Sequence, residues 1–312
     1  MTRVAALTGA TGFIGQELLH QLLAAGWSVR ALTRRPQPQD DGKNLAWISG
    51  DLANPNALEK LVDGCDVVIH LAGAVKARGR AQFFEANAAG VAAMIEATRK
   101  AANKAHFVLV SSLAAREPHL SDYAGSKAAG EESLRQTTRL DWTIIRPPAV
   151  YGPGDLEILK IFKSLKYGVG FLAGRPENRL SIIHVRDLCT GIIATVGKEQ
   201  AYGRLLHIDD GREGGYTLAE ILTTGARILE KKPRHIRLPR LAFALAAGVN
   251  QGFCRLTGRT PMLTAGKVRE LHHADWVCGG DKVSDVSNWR ARFDVETGLR
   301  ETLGWYREKG LI

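Results

Sequence analysis

The segment Thr8-Gly-Ala-Thr-Gly-Phe-Ile-Gly15 constrains the fold more than any other part of this chain. An apolar run, Val4 to Leu7, reads as a strand and leads directly into it. Gly9, Gly12 and Gly15 then punctuate the turn, and a helix from about Gly12 to Ala25 follows, with Phe13, Leu18, Leu19, Leu22 and Leu23 on its apolar face and Gly26 at its C-cap. Turns use glycine for conformational reasons alone, so the triplet by itself says little. Strand, glycine turn and helix in this order say more: such a turn lets backbone approach a pyrophosphate and hands it to the helix N-terminus. Gly9, Thr11, Gly12, Phe13, Ile14 and Gly15 are therefore expected to line a dinucleotide.

The pattern continues. Strands are predicted at Ser28 to Leu32, Ala46 to Ser49, Val67 to Leu71, Phe107 to Val110 and Trp142 to Arg146, with alanine-rich helical segments between several of them. Alternation of this kind predicts an α/β fold, a doubly wound parallel sheet of six strands. From Tyr151 the pattern loosens, with Gly and Pro clusters at Gly152 to Gly154 and Gly168 to Pro176. The expected organisation is a dinucleotide-binding domain over 1–150 with a return segment near 181–210, and a smaller C-terminal substrate-binding lobe over 151–180 and 211–312.

With 312 residues, 45% of them hydrophobic, the chain can bury one large core without disulfides or metals. Cys65, Cys189, Cys254 and Cys278 are far apart and lack metal-binding spacing, so no metal is expected and a reduced, cytoplasmic setting is. Gly9, Gly12 and Gly15 break the N-terminal apolar run, which argues against an export signal. The uncharged stretch Leu241 to Cys254 is shorter than the roughly 20 residues a membrane span requires. A net charge of +10 is scattered and comes with no nucleic-acid-binding motif, so nucleic acid is not an expected partner.

Cofactor preference is readable at the end of the second strand. NAD-selective relatives of this layout place an acid there for the ribose 2′-hydroxyl, whereas an Arg accommodates a 2′-phosphate. Here Thr33 stands in the acid's place and Arg34 and Arg35 follow, so NADP(H) is expected over NAD(H). Asp51, after the third strand, is positioned to accept from an adenine amino group; alone it would read as a turn residue. The chemical signal is Tyr123-Ala-Gly-Ser-Lys127, which puts a phenol and an ammonium on one helix face at i and i+4. A nearby cation favours phenolate and makes a tyrosine a usable proton donor near neutrality. Ser111 and Ser112 end the preceding strand at the carboxyl edge, where open α/β sheets bind ligands.

Taken together these motifs resemble the extended short-chain dehydrogenase/reductase family, the epimerase/dehydratase group, over nearly the whole chain. The matching elements are TGATGFIG, GDL at Asp51 and Leu52, HLAG at His70 to Gly73, Asn87, the serine pair, YAGSK, RPPAVYGPGD from Arg146 and IIHVRD at Ile182 to Asp187. The resemblance implies a Rossmann fold in which Tyr123 exchanges a proton with the substrate oxygen and Ser112 orients that oxygen. It implies that Lys127 tunes Tyr123 and holds the cofactor ribose, and that Asn87 holds a water in the proton relay, although an Asn near a helix also serves as a cap. Leu52, Leu71, Ala72 and Gly73 would contact the cofactor, and Pro147 to Val150 would lie against the nicotinamide.

Two departures narrow the reading. Only Leu113 to Asp122 separate Ser112 from Tyr123, where sugar epimerases and dehydratases carry a longer segment, and Leu113, Ala114 and Ala115 stand where dehydratases place acids. The short segment resembles the branch with bacterial ceramide reductases, 3β-hydroxysteroid dehydrogenases and a complex I accessory subunit. An active enzyme is expected, moving hydride between NADP(H) and a ketone or secondary alcohol of a hydrophobic small molecule, with a keto-sphingolipid as the named candidate. A nucleotide-sugar epimerase and a noncatalytic NADPH-binding assembly subunit are the alternatives. The segment Lys231 to Arg255 joins a basic approach to an apolar helix, which suits either a helix packed on the core or peripheral contact with an anionic membrane face on the cytoplasmic side. Homo-oligomerisation stays open.

Overall fold

The computed structural model describes residues 2–37, 44–102, 104–257, 260–261 and 263–312. Two compact units emerge: residues 1–146, 189–207 and 280–289 form the first, and 147–188, 208–279 and 290–312 the second. The chain leaves the first unit after Arg146 and returns with Cys189 and again with Gly280.

In the first unit, β1 (Val4–Thr8), α1 (Phe13–Ala24), β2 (Ser28–Thr33), β3 (Leu45–Ser49), α2 (Pro55–Val62) and β4 (Val67–His70) follow in order. Next come α3 (Arg80–Phe84), a π-helical turn (Glu85–Ala89), α4 (Gly90–Ala101), β5 (His106–Val110), a 3-10 turn (Leu113–Arg116), α5 (Asp122–Arg135) and β6 (Trp142–Arg146). Seven parallel strands make the sheet, not the expected six. Arg204–His207 pairs alongside β6 as the added edge strand, and the order from there is β6, β5, β4, β1, β2, β3. Every residue of β4 and β5 is buried, as strands covered on both faces require. Leu58 and Leu61 of α2, Met94 of α4 and Leu134 of α5 join Val68, Phe107 and Ile144 of the sheet in one core. Local signals fix the helix ends: Asn54 caps α2 with Pro55 at its first position, and Gly26, at φ +79°, closes α1. Register aligns the carboxyl ends of the strands, with Thr8 opposite His70 and Thr33 opposite Ser49. The order reverses at β1, so the loops after β1 and β4 flank the position where doubly wound sheets hold ligands.

The second unit has small sheets and helices around its own core. Ala149–Tyr151 (β7) pairs in parallel with Ile182–His184 (β10), and Val169–Leu172 (β8) with Arg234–Arg237 (β13). Arg179–Leu180 (β9) sits between Tyr216–Thr217 (β12) and Asp275–Trp276 (β14). Tyr151, Phe162, Leu222, Leu299, Leu303 and Tyr306 fill the core, drawn largely from Leu218–Ile228 (α8) and Val295–Glu308 (α12). Thr217 and Glu220 form a capping box on α8, and Asp294 caps α12. Arg240–Thr257 (α9) packs against Ala265–His272 (α10), with Phe243 edge-on to His272 at 5.3 Å. Among the described residues no helix is long and apolar enough to cross a membrane.

Candidate active site

The turn between β1 and α1 is tight enough to demand its glycines. Gly9 has φ +78°, and a Cβ there would lie 2.8 Å from the Ala72 nitrogen. A Cβ on Gly15 would meet the Gly9 carbonyl oxygen at 2.0 Å, so helix and turn touch backbone to backbone. Gly12 is the N-cap of α1; no side chain caps the helix, and its first turn holds no acid. The amides of Phe13, Ile14 and Gly15, at the positive end of the helix dipole, thus suit a pyrophosphate, and Thr11 and Gly12 are exposed beside them. This donor set fits a dinucleotide.

The two ends of the β1 and β4 loops are tied together. Thr8 Oγ1 lies 2.8 Å from His70 Nδ1 and accepts from the Ala72 amide at 3.1 Å, while the Leu71 amide donates to the Thr8 carbonyl. Burial, then the nearby Lys127 charge, pulls the His70 imidazole down to about 3, so the ring stays neutral and acts as a fixed brace. At the end of β2, Thr33 Oγ1 donates to the Arg35 carbonyl at 2.7 Å and accepts from its amide at 3.2 Å. That closed turn leaves Arg34 and Arg35 exposed. Asp51 is exposed, and its Oδ1 accepts from the Ala53 amide, as in an ordinary Asx turn; Leu52 is half-buried, within reach of Gly90.

Tyr123, Lys127, Ser112 and Asn87 all belong to the first unit. Ser121 caps α5 through Ala124, which starts the helix so that Tyr123 falls in its first turn and Lys127 one turn later. Tyr123 is half-buried and edge-on to Phe83 at 6.1 Å. Lys127 is buried and donates to the Val110 carbonyl at 3.0 Å, which moors it to the end of β5. Burial lowers its ammonium from 10.5 to about 8, against the opposing pull of Glu131. Ser112 caps the 3-10 turn by accepting from the Ala114 amide at 3.2 Å, which leaves its own proton to donate. Its neighbour Ser111 is more deeply buried.

Asn87 is not a cap. It sits in the π-helical turn inside the continuous helical passage from Arg80 to Ala101, where a bulge re-aims one side chain. Its Oδ1 accepts from the Ala74 amide at 2.8 Å, and its Nδ2 donates to the Ala74 carbonyl at 3.0 Å and to Ser126 Oγ at 2.9 Å. A Cβ on Gly73 would lie 2.6 Å from Asn87 Oδ1 and 3.8 Å from Lys127 Nζ, so the HLAG loop, Asn87 and Lys127 converge at one point.

Several residues in this frame carry no signal of their own in the sequence. Ser126 ties α5 to Asn87 and could have been found as the residue before Lys127. Gly130 lets α5 approach the π turn, since its Cβ would lie 2.3 Å from the Asn87 carbonyl. Glu131, buried one turn beyond Lys127, receives both Arg146 Nε at 2.8 Å and Nη2 at 2.5 Å. Pro147 and Val150 belong to the second unit, where Val150 pairs with Ile183.

A doubly wound sheet with a glycine turn at its switch point, and Ser112, Tyr123 and Lys127 on the neighbouring strand end and helix, is the layout expected of a nicotinamide-dependent oxidoreductase. The chain belongs to the NAD dependent epimerase/dehydratase family, which it matches over residues 5–205. It is 38% identical over 311 residues to the ceramide reductase of Caulobacter vibrioides, covering 99% of this chain and 96% of that protein. It is 26% identical to sterol demethylase protein B of Methylococcus capsulatus, covering 98% of this chain and 99% of that one. Among solved structures, the dTDP-glucose 4,6-dehydratase of Bacillus anthracis in complex with NAD superposes with a TM-score of 0.74 at 18% identity, over 100% of both chains. At that identity the likeness is one of fold. The protein is thus an NAD(P)-dependent enzyme of the short-chain dehydrogenase/reductase type acting on a small molecule.

Proposed function

We propose that this enzyme reduces a ketone on a hydrophobic, lipid-like substrate with NADPH, a keto-sphingolipid being the named candidate, and that residues 1–146 with their returning segments hold the cofactor. The observation that carries the reaction is the frame of Lys127, Asn87 and Ser126 assembled around the start of α5, with Ser112 capping the turn after β5. When bound, the reduced nicotinamide supplies the hydride that attacks the carbonyl carbon. Ser112 donates a hydrogen bond to the carbonyl oxygen, and Tyr123 gives that oxygen its phenolic proton as the C–H bond forms, so the product is the neutral alcohol. Lys127 spends one N–H on Val110 and has two left for a ribose hydroxyl and for stabilising the tyrosinate. Asn87 holds the loop at Ala74 and positions a water through which Tyr123 regains its proton. Exposed Arg34 and Arg35, presented by the Thr33 turn, support NADPH through charge-assisted bonds to a 2′-phosphate. The lipid assignment draws on the ceramide reductase likeness along nearly the whole chain and on the short segment between Ser112 and Tyr123.

The test is an assay of purified protein with NADPH against keto-lipids and against a panel of nucleotide sugars, with NADPH and NADH titrated separately. Stoichiometric NADPH oxidation with a keto-lipid is expected, and Arg34→Ala should weaken NADPH roughly tenfold or more while leaving NADH nearly unchanged. Turnover confined to sugars without net cofactor consumption would overturn the reading.

A further inference from the structure

The second unit carries a helix whose solvent face is apolar. Along α9 the large side chains Leu241, Leu245, Val249 and Phe253 recur every four residues and are 70%, 64%, 74% and 54% exposed. Ala244, Ala246, Gly248 and Gly252 fill the same face, while Phe243, Ala247 and Cys254 point the other way, half-buried or buried. No charged residue occurs between Leu241 and Cys254, so the usual arrangement of a surface helix, polar outside and apolar inside, is absent on this face. An exposed apolar stripe of this length, about four turns, marks a surface meant to be covered.

A second feature adjoins it. β13 ends at Arg237 and α9 starts at Arg240, so the strand feeds straight into the stripe. Lys231, Lys232, Arg234, Arg237 and Arg240 are all exposed, no acid lies between Lys231 and Thr257, and among the described residues none of the five makes an ion pair. Their position is unfavourable for the helix itself, because the N-terminus is the positive end of the dipole and α9 has no acid in its first turn. The helix therefore adds to the positive potential of the five side chains, which favours an external anion beside them. Next to β13 in the same small sheet, Phe171 is opposite Ile236, both about 45% exposed, which extends the apolar surface beside the cations.

We propose that α9 is an interfacial helix that seats this unit on an anionic phospholipid bilayer, its Leu241, Leu245, Val249 and Phe253 side chains entering the acyl boundary and the Lys231–Arg240 cations meeting the headgroup phosphates. An apolar face bordered by a dense basic edge is the pattern of helices that lie in the membrane plane. A second copy meeting α9 with its own α9 would offer these cations no acid in return, since none lies between Lys231 and Thr257. A protein partner would be expected to find a pocket for its anchoring side chains, and one convex helix face with alanines and glycines between its large residues offers none, whereas acyl chains require none. The side chain of Arg255, at the end of the basic and apolar segment, lies outside the described ones.

The test is flotation of the full chain with vesicles of phosphatidylcholine alone and of phosphatidylcholine with phosphatidylglycerol. Binding to the anionic vesicles should exceed binding to the neutral ones by roughly tenfold or more and fall as salt is raised. Leu245→Asp with Val249→Asp should abolish it, and Lys231→Glu with Lys232→Glu should reduce it to the level of neutral vesicles. All four positions are exposed, so thermal melting and NADPH binding should be unchanged, which separates lost docking from lost folding. Equal binding to both vesicle types, no binding by the wild type, or full binding by the Leu245→Asp, Val249→Asp protein overturns the proposal. So does wild-type self-association in sedimentation that Leu245→Asp abolishes while no vesicle binding is seen, because a second copy then covers the stripe. No substrate is turned over in this experiment, so it stands or falls apart from the ketoreductase reading.

Discussion

Replacing Lys127 with Met asks whether the buried ammonium is held at a cost to the fold. In the unfolded chain this lysine titrates near 10.5 and in the folded apo protein near 8, with burial as the main cause. A base whose folded value is depressed destabilises the fold wherever it must carry its charge, and the penalty fades as pH rises from the folded value toward the unfolded one. The full difference is about 3 kcal/mol, and roughly 2 kcal/mol of it disappears between about pH 7 and pH 9.5. The group is buried, so solvent screening does not erase this. In the variant the pH-dependent part is missing. Other titrations are shared by the two proteins and cancel in the comparison. The assay is urea unfolding of both apo proteins across this range. Wild type should gain about 2 kcal/mol relative to Lys127→Met as pH rises, and the variant should lose cofactor binding at every pH. A stability difference that stays constant from near neutrality to about pH 9.5 would refute the argument, because the amine would then titrate as it does in water.

The Arg146 and Glu131 pair offers a sharper contrast between single and double substitution. Arg146→Met leaves the buried Glu131 carboxylate unpaired and should cost about 3–5 kcal/mol in unfolding measurements, whereas Arg146→Met with Glu131→Leu should recover most of it. Equal losses in the two would mean that the pair's charge is irrelevant. Acid should weaken the first unit through its buried histidines. His70 and His106 are pulled down to about 3 and about 4 by burial, so both contribute stability above the ordinary histidine value of 6.5 and lose it as pH falls from there toward the folded values. Urea midpoints measured downward from neutrality should fall steeply, and His106→Gln should flatten the slope by about one proton; an unchanged slope counts against the burial argument.

The first half of the chain was legible because its signals are local. Gly15 is forced by its contact with Gly9 within one turn, Gly9 and Gly26 are marked by their left-handed backbone, and YAGSK by the rise of a single helix. The seventh strand was missed for the opposite reason. Arg204–His207 is four residues with no alternation to mark it, and it is a strand only because β6 offers its edge some sixty residues away in sequence. The placement of Asn87 shows the same limit at the site. Its residue type permits a cap, and nothing nearby in sequence says that the helix bulges there. The π turn is stabilised from outside, by Ala74 on one side and by Ser126 and the glycine at 130 on the other.

That distinction also separates the two halves of the functional reading. Residues that contact a cofactor through backbone or at fixed helical spacing can be read from one segment, because the chemistry itself imposes the spacing. Residues that brace those groups, Thr8 against His70 or Glu131 against Arg146, are joined across 62 and 15 positions, and their partners are set by which strand end lies beside which helix. Substrate choice belongs to this second kind. Its determinants are expected among the short strands and helices after Tyr151, where the sequence shows loosened periodicity and the fold is closed by side-chain packing around Tyr151 and Tyr306. The exposed stripe on α9 follows the same logic in reverse: its four-residue period is plain in the sequence, but only the packing of Phe243 and Ala247 against one side decides that Leu245 and Val249 face out.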